Sequence, residues 1–162
     1  MYQKILLTHD GSDVTAAAIP HAITVANAAG AEVVVCQVID SVAQIMSLMA
    51  PTTIEPLPAG GVTAEIAEES VAGQRAAAQQ NLDAVKAALE AGGVSRVSTL
   101  VVEGRAGEAI CTVAAELGCD LVVMATHGRS GISRVLLGSV AEHVVRHVKD
   151  GAVLLVHPQK HD

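Results

Sequence analysis

Apolar positions in this chain fall into short bounded runs, separated by longer stretches in which apolar and polar residues recur with helical spacing. Lys4–Thr8 (KILLT), Glu32–Ile39, Val97–Val102, Leu121–Met124 and Ala152–Val156 (AVLLV) are the runs. Continuous apolar segments of this length are the pattern of strands buried on both faces. Between the first two lies a helical stretch that is apolar nearly all round, Val14–Ala29, closed by Gly30 and carrying Pro20, which is expected to kink or divide it. The turn His9-Asp10-Gly11-Ser12 precedes it, with Ser12 or Asp13 placed to cap the helix. A long alanine- and glutamine-rich helix is expected over Val62–Ala91, stopped by Gly92-Gly93. Another follows over Glu108–Leu117, behind the Gly104-Arg105-Ala106-Gly107 turn and before Gly118. The last helix starts at Ser139, where Ser139 and Glu142 read as an S-x-x-E capping box. Asp40–Gly61 loses periodicity. It holds Pro51, Pro56, Pro58 and Gly60-Gly61, and reads as a mobile excursion whose apolar members Ile45, Met46, Leu48 and Met49 suit a helical turn or a lid.

Strands alternating with helices imply right-handed βαβ units. The expected fold class is α/β: a single doubly wound, Rossmann-like, five-stranded parallel sheet with helices on both faces. A length of 162 residues suits one domain spanning positions 1–162. In such sheets ligands bind beyond the carboxyl ends of the strands, where the strand order reverses. The loops at those ends are His9–Asp13, Val38–Ser41, Gly104–Gly107 and Ala125–Gly138.

Composition narrows the partners. The chain is 51% hydrophobic yet has no Trp or Phe and a single aromatic residue, Tyr2, so its core is built from aliphatic side chains. Seventeen acidic against ten basic residues give a formal charge of −7 without blocks of like charge. This argues against nucleic acid or an anionic membrane as partner, since both require a concentrated basic surface. No apolar run approaches a membrane span, and the N-terminus lacks a signal-peptide pattern. Cys36, Cys111 and Cys119 are odd in number and lie in apolar contexts. Buried thiols in a cytoplasmic protein are the expectation.

Chemistry concentrates after the fourth strand. Ala125-x-x-Gly128, nine residues, then Gly138-Ser139 connect that strand to the last helix. Glycines let a loop close around phosphate oxygens, and a helix N-terminus offers unpaired N–H groups to an anion. Neither a P-loop nor a G-x-G-x-x-G after the first strand occurs. Arg129 and Ser130 are donors for phosphate, and Asp10 at the end of the first strand suits ribose hydroxyls. Plainer roles exist for each: Ser139 as a cap, Asp10 in an Asx-turn, Met124 in the core, Arg129 and the turn residue His127 in solvent. His143 and His147 have the i, i+4 spacing of metal ligands but no third ligand, and no metal site is assigned. Glu103 and Arg105 suit a surface ion pair.

At these residues the chain resembles the universal stress protein family, whose motif is G-2x-G-9x-G-[ST]. The likeness covers essentially the whole chain: KILLTHDGS at the first strand, VID after the second and MATHGRSG…LLGSVAEHVVRH at the end. Ala125 stands where the motif has its first Gly, and is small enough to keep the pocket open. The resemblance implies an ATP site in which Asp10 lies by the adenosine and the backbone of Val38 meets the adenine edge. Met124 would line the base pocket and Ala125 the ribose, with Gly128, Arg129, Gly138, Ser139 and Val140 around the phosphates. Mg²⁺ or Mn²⁺ would accompany the phosphates. It also implies a homodimer through the fifth strand, Ala152, Val153, Leu154, Leu155 and Val156.

The function expected on this basis is a stress-linked regulatory module that holds ATP. Two alternatives stay open. One is a slow ATPase or phosphoryl- or adenylyl-transfer enzyme, for which Asp40 and His127 are the only candidate bases. The other is a dimeric scaffold without nucleotide, or a binder of AMP or a cyclic nucleotide.

Overall fold

A computed structural model of the chain describes residues 1–49, 64–126 and 138–158. Five strands, β1 (Lys4–Thr8), β2 (Glu32–Ile39), β3 (Val97–Glu103), β4 (Leu121–Ala125) and β5 (Ala152–Val156), form one sheet of order β3-β2-β1-β4-β5. Every neighbouring pair is parallel, with Leu6 beside Val34 on one side and Val122 on the other. The order reverses between β1 and β4, so the crevice of the doubly wound fold opens there.

Alternation along the strands divides the interior into two layers. Ile5, Leu7, Val33, Val35, Leu121 and Val123 face one way, against α2 (Ile19–Ala29) and α4 (Ala64–Ala91). Leu82 and Leu89 of α4 are fully buried in that layer. Leu6, Val34, Cys36, Val122 and Met124 face the other way, against α5 (Ala106–Glu116) and α6 (Ser139–His147). Helices thus cover both faces.

Pro20 divides the predicted Val14–Ala29 helix. A four-residue turn, α1 (Asp13–Ala16), is followed by α2, whose first turn holds the proline where no N–H is needed. Ser12 caps α1 by accepting the Thr15 N–H, and Gly30 ends α2 at φ 65°.

Three local readings need correction. The first part of the supposed excursion is a regular helix, α3 (Val42–Met49). Ser41 and Gln44 form a reciprocal capping box at its start: Gln44 N–H donates to Ser41 Oγ at 3.3 Å, and Ser41 N–H to Gln44 Oε1 at 2.9 Å. Ile45 anchors it in a third cluster with Ala67, Val71 and Ala78 of α4. The remainder of Asp40–Gly61, from position 50, lies outside the described residues. Second, Ser139 is not the cap of α6. Gly138 occupies that position, with no side-chain cap bond, and Glu142 instead takes a 2.7 Å ion pair from Arg146. Third, Glu103 pairs with Arg75 at 2.6 Å, while Arg105 meets Glu108 at 3.7 Å.

Candidate functional site

At the carboxyl ends of β1, β2 and β4 lies a cavity of about 300 Å³. Thr8, His9, Asp10, Thr15, Cys36, Val38, Ala106, Ile110, Met124, Ala125, Thr126 and Gly138–Ala141 line it. Seven residues picked out in the sequence therefore share one space: Asp10, Val38, Met124, Ala125, Gly138, Ser139 and Val140. Gly128 and Arg129 lie outside the described residues, as does His127. Asp40 does not line the cavity; its N–H donates to Gln74 Oε1 at 3.1 Å.

The walls differ in character. Cys36 and Val38 from β2, with Ala106 and Ile110 from α5, make an apolar side. Burial pushes the Cys36 thiol up to about 12, helped by Cys119, so it stays neutral and serves as wall rather than nucleophile.

The β1 end is polar. Asp10 Oδ1 accepts from Ser12 Oγ at 2.6 Å, Thr15 Oγ1 at 2.9 Å and Ser12 N–H at 3.0 Å. The last of these is an Asx-turn, so the plainer reading of Asp10 is realised with one of its two oxygens. Burial disfavours the carboxylate, but the Ser12 and Thr15 hydrogen bonds and the neighbouring His9 outweigh it and hold Asp10 below the usual range. His9 shifts downward because burial penalises imidazolium, with Asp10 pulling the other way.

The third side is the start of α6. Glu142 N–H is the first to find a helical carbonyl, that of Gly138 at 2.9 Å. The N–H groups of Ser139, Val140 and Ala141 precede it and have no acceptor among the described residues. Gly138 N–H itself donates to Thr126 carbonyl at 2.9 Å. Thr126 is further held by Val156 carbonyl through its N–H and by His157 Nδ1 at its hydroxyl, both at 3.0 Å. That staple joins the two ends of the 127–137 connection.

Sequence reading did not single out Thr8, His9, Thr15, Cys36, Ala106, Ile110 or Thr126 as site residues. Thr8 is the last residue of β1 and Thr126 directly follows β4, which is the signal that was available. No group of three or more metal-ligating side chains occurs among the described residues. No helix there is long and apolar enough to cross a membrane.

An all-parallel sheet of order 3-2-1-4-5, with a cavity at its switch point and the glycine-capped start of α6 lining it, defines a doubly wound α/β protein with a candidate ligand site. The sequence model of the Universal stress protein family matches residues 1–157, and the chain belongs to that family. It is 34% identical over 160 residues to Universal stress protein MJ0531 of Methanocaldococcus jannaschii, covering 99% of this chain and 85% of the relative. Among solved structures, hypothetical protein MJ0577, from the same organism, superposes with a TM-score of 0.80 at 27% identity over 99% of both chains. A universal stress protein in complex with cAMP superposes with a TM-score of 0.67 at 24% identity, covering 96% of this chain and 97% of the other, and shows the shared fold.

Proposed function

We propose that this protein is a regulatory module that holds an adenine nucleotide, ATP in the first place, at the carboxyl ends of β1 and β4. The observation that carries the reading is the start of α6. Three successive backbone N–H groups, from Ser139, Val140 and Ala141, lie at the cavity with the positive end of the helix dipole behind them. An anion satisfies all three, and the apolar wall of β2 and α5 supplies a surface for a base. A fold-mate was solved with cAMP, so the fold admits an adenine nucleotide; for this chain the argument rests on its own cavity. Mg²⁺ or Mn²⁺, where present, is held by phosphate oxygens and water. The free thiols Cys36, Cys111 and Cys119 suit a cytoplasmic setting. Pairing of two β5 edges makes the module a homodimer.

The test uses the chain's own optics. With no Trp and one Tyr it absorbs little at 280 nm, so bound adenine dominates the spectrum near 260 nm. The purified protein, denatured and resolved by chromatography, is expected to release an adenine nucleotide, and the stripped protein to rebind ATP in titration calorimetry. A nucleotide-free preparation that also fails to bind added Mg-ATP would sink the proposal. Steady release of ADP from Mg-ATP would instead mark an enzyme.

A further inference from the structure

The turn after β1 contains a histidine to which the nucleotide reading gives no task. His9 is only 9% exposed, lines the cavity, and turns Nδ1 back onto its own chain to accept the Gly11 N–H at 2.9 Å. A ring nitrogen that accepts carries no proton, so the imidazole hydrogen sits on Nε2. Among the described residues nothing accepts from Nε2. A buried donor left without a partner is costly, which marks it as kept for a molecule that enters the cavity. Burial, which disfavours the imidazolium, keeps the ring in this neutral form.

Beside it stands a complementary group. Asp10 Oδ1 is filled by its three local donors, while Oδ2 has no partner among the described residues. Together, one donor and one acceptor on consecutive residues lining the same cavity suit a ligand group that both accepts and donates. Hydroxyls do this.

Sheet order says which part of a nucleotide lies there. β1 sits between β2 and β4. The apolar wall belongs to β2 and α5, and the anion-binding helix start follows β4. A base on the first and phosphates on the second put the sugar over the β1 turn. We infer that His9 donates its Nε2–H to a ribose hydroxyl, next to the place that the resemblance gives Asp10. This rests on the nucleotide reading above.

Titration calorimetry of the wild-type chain, His9→Ala and His9→Gln with ATP, 2′-deoxy-ATP and 3′-deoxy-ATP tests it. The wild type is expected to favour ATP over at least one deoxy analogue by about five- to tenfold, one hydrogen bond's worth. His9→Ala should weaken ATP by a similar factor while binding that analogue within about twofold of wild type, since the lost interaction is the same one. His9→Gln, which keeps a donor, should recover part of the preference. A second readout needs no variant: the Nε2–H nitrogen resonance of His9 should be present in the free protein and shift on adding ATP. Equal loss for all three nucleotides in His9→Ala, or no loss for any, overturns the inference and leaves nucleotide binding standing. Failure of the wild type to bind any of the three overturns both.

Discussion

Asp10 and His9 show how much of the site is made by groups only two to five residues apart. Removing the carboxylate in Asp10→Ala takes the acceptor from the Ser12 N–H and hydroxyl, while the Thr15 hydroxyl keeps the Ser12 carbonyl, and should cost about 1–3 kcal/mol in denaturant unfolding. Acid should destabilise the protein in two stages. The unfolded chain takes up a proton on His9 near its ordinary 6.5, which the folded chain resists because burial lowers that group. Stability is therefore unaffected by His9 above that value and declines as pH falls below it. Asp10, ordinarily 3.8 and lower when folded, contributes above 3.8 and loses its contribution as pH drops through its folded value. A melting temperature followed from pH 8 to 4 should be level at first and then fall, and His9→Gln should flatten the upper part of the fall. Asp10 was legible in the sequence because an acid after a buried strand is a recurrent signal. His9 was not, since its importance comes from burial by other elements and from a bond to Gly11, whose φ of 82° only the folded turn reveals.

At the level of elements, the five strands were legible almost to the residue, because bounded aliphatic runs have few other fates in a chain without large aromatics. The helix starts were harder. Ser41 and Gln44 carry the S-x-x-Q signature of α3, but with the prolines beyond position 50 the segment reads as an excursion holding no more than a helical turn or a lid. At α6 the opposite occurred: Ser139 and Glu142 have capping-box spacing, yet Gly138 takes the cap and frees the serine for the cavity. Ser139→Ala should thus change stability by less than about 0.5 kcal/mol, whereas loss of a true cap costs about 1 kcal/mol; thermal melts distinguish the two. The packing of α5 on α6 depends on Gly107. A Cβ there would lie 2.8 Å from the His143 ring and 2.9 Å from its Cβ, so the ring would have to rotate away and the helices to shift. Gly107→Ala should cost about 1–3 kcal/mol in the wild type, and clearly less in a His143→Ala background.

Over the whole molecule, β5 leaves one side of the sheet unpaired among the described residues. Ala152 N–H donates to Asp120 and Val156 carbonyl accepts from Thr126, so alternate residues face β4. The backbone groups of Val153 and Leu155 face outward, the template that a second copy would extend. Val153→Pro removes an outward N–H without touching the β4 ladder. If the homodimer forms through this edge, sedimentation should show the variant shifted toward monomer with its melting behaviour largely kept; an unchanged dimer would place the interface elsewhere. The staple from Gly138 to Thr126 has an evolutionary consequence of a different kind. Because the two ends of the 127–137 connection already touch, the length between them scarcely matters to the rest of the fold: doubling a closed loop costs only about 0.6 kcal/mol. Insertions and deletions can accumulate there without shifting the register of β4 or the first turn of α6. Descendants of this chain are free to try new ligands by trading one short cassette, on a scaffold that does not have to be reinvented each time.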